Sequence, residues 1–216
     1  MDFTDRIDEC CFVFRGYNTT NLGRSGQLLD HEQYGPIFEQ HLREASEIAS
    51  GRLGISLDLI GRVRRGEETT LQSFPQAVAL IMATEMAQMS ILSKFFNVDI
   101  SLAKRATGYS LGEITAIVCG GVIPFADALS VLLDFANDCA ELGENTRMGI
   151  VFSRAGELPA EDIQRLCVQI SAEDRGVIAV SAYLSPNTLL LLGQNDTVDR
   201  FNSLRKQRLP KEVHLR

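Results

Sequence analysis

The chain has 216 residues, 45% of them apolar, and a formal net charge of −7. A chain of this length buries a sizeable core, as one domain or as a domain with a smaller insertion. Its charges are spread rather than blocked, which argues against a nucleic-acid or anionic-membrane surface; no stretch approaches the roughly 20 apolar residues of a spanning helix, and the polar, acidic start Met1–Arg6 is unlike a signal peptide, so a cytoplasmic protein is expected.

Cys10–Phe14 is a short apolar run that reads as a buried strand, and the turn-forming residues Arg15-Gly16-Tyr17-Asn18-Thr19-Thr20-Asn21 follow it. The spacing of Ile37, Phe38, Leu42, Ala45 and Ile48 predicts a helix between Tyr34 and Ser50, and a second is expected near Leu57–Val63. Pro75–Phe96 is the longest helical signal, apolar nearly all round as a buried helix is, with its methionines read as core filler. A strand at Arg105–Gly108, a helix from Leu111 to about Cys119 and a helix Phe125–Leu142 behind Pro124 complete the first part. Strand and helix alternate, so an α/β fold with a parallel sheet is expected.

Beyond Gly143 the order is strand (Met148–Phe152), helix (Pro159–Ile170), strand (Val177–Ala182), strand (Thr188–Leu192), helix (Thr197–Leu204), strand (Glu212–Leu215). This is the βαββαβ order of a ferredoxin-like subdomain, with Ser185-Pro186-Asn187 as its hairpin turn and Gly143-Glu144-Asn145 as the junction. The expected domains are therefore 1–143 and 144–216. Five cysteines (Cys10, Cys11, Cys119, Cys139, Cys167) lack metal-type spacing and read as buried thiols; no metal site or phosphate-binding glycine loop is expected.

The chemistry concentrates at Gly108-Tyr109-Ser110-Leu111-Gly112, which fits the G-x-S-x-G nucleophile elbow, a strand-to-helix turn that exposes its serine hydroxyl. The helix from Leu111 would aim its free amides and positive end at an oxyanion formed on Ser110. The short pattern also fits a plain glycine-bounded turn, and Glu113 suits the first turn of a helix without any catalytic duty.

With Glu113, Ala116-Ile117-Val118-Cys119-Gly120-Gly121-Val122-Ile123 and Phe125-Ala126-Asp127-Ala128, this block resembles the G-H-S-L-G-E region of malonyl-CoA:acyl-carrier-protein transacylases and polyketide acyltransferase domains. Phe12-Val13-Phe14-Arg15-Gly16 resembles that family's opening strand before its G-Q-G loop, and Ser185-Pro186 with Leu189–Gly193 resembles its N-x-S-P hairpin. The resemblance spans nearly the whole chain. It implies an α/β-hydrolase-like large subdomain with a ferredoxin-like insert, and a ping-pong reaction in which Ser110 takes an acyl group from coenzyme A and passes it to an acyl carrier protein. Coenzyme A enters as substrate and no cofactor is implied. The oxyanion donors would be the backbone N–H groups of Leu111 and Tyr17.

Three departures from the family pattern stand out. Tyr109 replaces a histidine, and Phe74-Pro75-Gln76-Ala77 replaces a Q-P-A group; these alter pocket walls at Tyr109 and Gln76. Phe135 stands where the family's helix carries a carboxylate-clamping arginine, so the expectation is either that an uncharged acyl group such as acetyl or a longer chain is preferred to malonyl, or that the malonyl carboxylate finds its cation elsewhere. Of the three histidines, His31 and His41 read as surface residues, and His214 lies in the last strand, just before the loop where the family's base sits. The expectation is that the family's base falls past Arg216, with His214 the alternative, and that this stretch alone is nearly inactive and exposes apolar surface.

Two other functions remain open: an ester or thioester hydrolase using the same serine, and a non-catalytic carrier-binding protein. An acidic carrier needs a cationic face, for which Arg62, Arg64 and Arg65, or Arg205, Lys206, Arg208 and Lys211, are the candidates, a solvated charged surface being the plain alternative.

Overall fold

The computed structural model describes residues 3–18 and 20–216, so Met1 and Asp2 of the polar start and Thr19 of the first turn lie outside the described residues. The chain separates into two compact units, Met1–Ala140 and Glu141–Arg216.

In the first unit β1 (Cys11–Phe14) leads through α1 (Ser25–Leu29), α2 (Gly35–Leu53), α3 (Leu59–Arg64) and α4 (Phe74–Phe96) to β2 (Arg105–Gly108), then α5 (Leu111–Cys119) and α6 (Phe125–Glu144), whose residues from Glu141 on belong to the second unit. β1 and β2 run parallel in register, Cys11 opposite Arg105 and Phe14 opposite Gly108. Two chain-distant strands thus meet side by side, which places the loops that leave their C-terminal ends together, as parallel α/β sheets do. Short α1 carries no long apolar period, so pattern alone does not reveal it.

The core of this unit is helical. Phe38, Leu42, Ala45 and Ala49 form one face of α2 and pack on α4, whose Leu80, Met82, Ala83 and Ala87 are fully enclosed. Each such large side chain contributes about 1.5–3 kcal/mol by leaving water. Pro36 and Pro75 occupy the first turns of α2 and α4, where a missing N–H costs nothing, and Gly54 and Asn97 end them in the left-handed conformation. Met82 and Met86 do fill core, while Met89 lines a cavity.

The second unit holds β3 (Thr146–Ser153), α7 (Ala160–Ser171), β4 (Ile178–Ser185), β5 (Thr188–Gln194), α8 (Thr197–Arg208) and β6 (Val213–Leu215). Its antiparallel sheet has the order β4-β5-β3-β6. This is the ferredoxin-like arrangement expected from βαββαβ. Ile163, Leu166, Cys167 and Ile170 of α7 and Phe201 of α8 cover Val151, Leu189 and Leu191 of the sheet. In the β4–β5 turn Ser185 Oγ donates to Asn187 Oδ1 at 2.7 Å, the local bonding that its polar residues favour.

Two expectations need correction. The junction placed at Gly143-Glu144-Asn145 is no loop, because α6 continues through Glu144 and only Asn145 turns; a glycine inside an otherwise helical run costs only about 1 kcal/mol. Nor are the thiols uniformly buried: Cys167 is, Cys10 and Cys119 are partly covered, and Cys11 and Cys139 are exposed. Cys11 falls on the outward side of a strand with one neighbour, a distinction composition cannot make. Among the described residues no helix is long and apolar enough to cross a membrane, and no His/Cys/Asp/Glu group has metal-holding geometry.

Candidate active site

β2 ends at Gly108 and α5 begins at Leu111, leaving Tyr109 and Ser110 to turn the chain sharply. Ser110 takes φ 55° and ψ −118°, a conformation that non-glycine residues avoid and that is stored as strain of order 1–3 kcal/mol. The turn closes because Gly112 N–H donates to Tyr109 O at 3.1 Å and Glu113 N–H to Ser110 O at 2.9 Å. A Cβ on Gly108 would stand 1.9 Å from the Gly112 carbonyl carbon, and one on Gly112 would stand 2.2 Å from the Phe14 oxygen. Both glycines are therefore required for β2, β1 and α5 to meet at this point. Ser110 itself is exposed, as is Tyr109 at 48%.

The loop leaving β1 comes up against this turn. Tyr109 N–H donates to Phe14 O at 3.1 Å, and a Cβ on Gly16 would lie 2.6 Å from Tyr109 O and 3.3 Å from Ser110 Cβ. Among the described residues neither the Tyr17 N–H nor the Leu111 N–H, which opens a helix, has an acceptor. Amides of this kind beside a helix N-terminus can hold a developing oxyanion. The Tyr17 ring packs edge-on against Phe74 at 4.9 Å, and burial, then the Glu68 charge, hold its phenol above the ordinary value.

The same loop is tied down by residues that sequence reasoning missed. Asn21, 5% exposed, accepts at Oδ1 from the Asn18 N–H and the Arg15 guanidinium, and its amide donates to Thr69 Oγ1 at 2.9 Å. Glu68 accepts the N–H groups of Asn21 and Leu22, the former at 2.8 Å. Burial works to raise the Glu68 carboxyl, but the N–H groups of Asn21, Thr69 and Leu22 and the Thr69 hydroxyl together hold it below its usual value. At the loop's other end Glu85 of α4 accepts the Arg15 N–H at 2.8 Å. Nothing in the local sequence pairs position 85 with position 15; the only signal was a carboxylate inside a buried helix, which is rare without a partner.

Neither histidine of this unit reaches Ser110. His31 stacks on Tyr34 at 3.9 Å and takes the N–H groups of Gln33 and Tyr34 at Nδ1. His41 is not the plain surface residue expected: Nε2 bonds Ser90 Oγ at 2.8 Å, Nδ1 is buried without a partner among the described residues, and burial lowers its pKa. His214 lies in the second unit on β6, exposed and 5.4 Å from the Phe152 ring. Gln76, expected in the pocket wall, accepts a hydrogen bond from Arg62. Phe135 projects from α6 at 61% exposure.

The cationic groups are partly spent. Arg62 is only 12% exposed and turns inward to Glu67, Glu68 and Gln76, while Arg64 and Arg65 pair with Glu39 and Glu67. Arg205 donates to Val213 O at 2.7 Å, leaving Lys206, Arg208 and Lys211 outward without ion pairs among the described residues. A cavity of about 810 Å³ beside β1, lined by Phe12, Phe14, Leu28, Met89 and Glu85, does not include Ser110 in its wall.

A parallel strand pair, a strained serine at a strand-to-helix turn and a second loop packed against it define an α/β-hydrolase-like chain whose turn has the backbone geometry of the G-x-S-x-G elbow. The chain is 26% identical over 195 residues to the malonyl CoA-acyl carrier protein transacylase of Haemophilus influenzae, covering 90% of this chain and 58% of that one. It is 24% identical over 214 residues to polyketide synthase GfsA of Streptomyces halstedii, covering 94% of this chain and 3% of that one. A solved malonyl-transacylase in complex with a type II polyketide-synthase acyl carrier protein superposes with a TM-score of 0.68 at 22% identity, covering 95% of this chain and 62% of that one. No family model matches. The chain is thus a distant homologue of malonyl-CoA:acyl-carrier-protein transacylases and polyketide-synthase acyltransferase domains. It spans somewhat under three fifths of the length of the transacylases it matches.

Proposed function

We propose that this chain carries the nucleophile-bearing part of an acyltransferase that moves an acyl group from coenzyme A to an acyl carrier protein in fatty-acid or polyketide synthesis. Ser110 Oγ attacks the thioester carbonyl, the carbonyl oxygen becomes an oxyanion held by the Leu111 and Tyr17 amides, and the C–S bond breaks to release the coenzyme A thiol. The carrier thiol then attacks the Ser110 ester and regenerates the hydroxyl, the serine proton moving to and from a general base. The observation that carries this reading is the strained, exposed Ser110 at the head of α5 with Gly16 packed against it.

The position of Phe135 supports an uncharged acyl group, because an aromatic ring offers no bidentate partner to a carboxylate. Intact-mass measurement of the protein with acetyl- and malonyl-coenzyme A in competition tests both points. An adduct lost in Ser110→Ala supports the reading, no adduct refutes it, and a clear malonyl preference refutes the uncharged-acyl part.

A second reading is favoured by the engagement of His31 and His41 elsewhere: a carrier-binding protein without turnover. Its mark is carrier binding in Ser110→Ala and wild type alike, with no acyl ester in either. For the carrier surface, Lys206, Arg208 and Lys211 are the groups proposed to meet acidic side chains, and their reversal to Glu is expected to weaken binding more at low than at high salt.

A further inference from the structure

Amides that stabilise an oxyanion must sit where the charge develops, and a misplacement of about 1 Å costs roughly 100-fold in rate. The turn that holds Gly16 and Tyr17 is a loop, so something must set its height above Ser110. Its first amide, Arg15 N–H, donates to Oε1 of Glu85 at 2.8 Å. Glu85 stands on α4, in the middle of the unit's best-buried helix, and is 6% exposed. Its Oε2 is buried with no partner among the described residues.

A buried carboxylate with one idle oxygen is destabilising, so its presence asks for a reason outside the core's own stability. The Arg15 guanidinium acts on it only as a nearby charge. It turns to Gly16 O at 3.2 Å, Thr20 O at 3.2 Å and Asn21 Oδ1 at 2.9 Å, and so forms no ion pair with Glu85. What Glu85 does hold is the backbone N–H immediately before the glycine that touches Tyr109 and Ser110. The far end of the loop is held in parallel by Glu68 through the Asn21 and Leu22 amides.

We propose that Glu85 is a positioning residue: its carboxylate anchors the Arg15 amide and thereby sets the Gly16–Tyr17 turn at the height that an oxyanion on Ser110 requires. This rests on the reading of Ser110 as nucleophile. Glu85 touches no reacting atom and acts only through the backbone.

The test compares the intact chain with Glu85→Gln, which keeps an acceptor at Oε1, and Glu85→Met, which fills the same space without one. Two quantities are read: the rate of ester formation on Ser110 with acetyl-coenzyme A, by intact mass, and the exchange rate of the Arg15 amide, by nuclear magnetic resonance. Glu85→Gln is expected within about threefold of wild type in both, and Glu85→Met about 10- to 100-fold slower in acylation with the half-saturating thioester concentration unchanged. The Arg15 amide should exchange at least about tenfold faster in Glu85→Met. An amide-to-ester replacement at Arg15, which deletes the donor and leaves Glu85 in place, should slow acylation as Glu85→Met does. Equal loss in Glu85→Gln and Glu85→Met, or wild-type acylation in the ester-substituted chain, overturns the proposal. If wild type forms no ester on Ser110, the functional reading falls instead, and protection of the Arg15 amide in wild type and Glu85→Gln but not in Glu85→Met still decides whether the anchor exists.

Discussion

The five thiols differ in reactivity because they differ in surroundings. Burial, then the Glu85 charge, pushes the Cys119 thiol up to about 11, and burial pushes Cys167 up to about 11. Only the thiolate is a good nucleophile, so at pH 8 iodoacetamide should label exposed Cys11 and Cys139 within minutes and leave Cys119 and Cys167 unlabelled until the protein unfolds. Peptide mapping of the labelled sites checks this; early labelling of Cys119 would contradict its placement. Glu85 makes a second prediction at the same scale. Burial raises its carboxyl, opposed by the adjoining Thr115 hydroxyl, the Arg15 N–H and the Arg15 charge. Burial is the largest of these effects, so the net shift is upward. A raised folded value means the stability tied to Glu85 is full below the unfolded value of about 4.3 and is lost as pH rises through the folded one. Glu85→Gln should therefore melt higher than wild type at pH 7, with the gap closing towards pH 4; a gap that widens on acidification would contradict this sign.

At the scale of elements, the elbow stands on close backbone approach rather than on side-chain packing. Gly112→Ala would drive a methyl into the Phe14 carbonyl, against backbone that cannot step aside, and is expected to cost about 2–4 kcal/mol. Gly51 lies inside α2 with nothing within 4 Å of a would-be Cβ, so Gly51→Ala is expected to add about 0.5–1 kcal/mol. Urea unfolding of the two variants beside wild type measures the contrast directly. Tyr109 and Phe135 are both solvent-facing, so their removal should leave the melting temperature nearly unchanged.

For the molecule as a whole, β1 pairs with β2 on one side only, and among the described residues no strand occupies its other edge. Val13 on that strand is 73% exposed, and Val122 and Phe135 are similarly bare. An open edge with apolar side chains is a template for pairing with another chain. This chain by itself is expected to associate with rising concentration, and Val13→Lys to shift it towards monomer in sedimentation velocity; identical behaviour of the two would remove β1 from the explanation. These exposed apolar side chains fall on a strand edge, on α6 and on the turn before it.

Periodicity and turn chemistry were enough to place β2, α5, α4 and every element of the second unit to within a few residues, because those signals are local: Pro75 at a helix start, Gly108 and Gly112 about a serine, apolar alternation along β3 to β5. The ferredoxin-like order likewise followed from element sequence alone. Short α1 and the helical course of Gly143 escaped, since neither carries a long enough pattern to outvote its neighbours. At the candidate site the serine and its loop could be read, but Glu85, Glu68 and Asn21 could not, nor could the engagement of His41 with Ser90 or of Arg62 with Gln76. The bonds Glu85–Arg15, Glu68–Asn21, Asn21–Thr69, His41–Ser90 and Arg62–Gln76 join residues 14 to 70 apart along the chain. A local pattern reports the backbone state of a segment, whereas a buried polar group is satisfied by whatever the packed helices bring beside it, and only the assembled fold decides that.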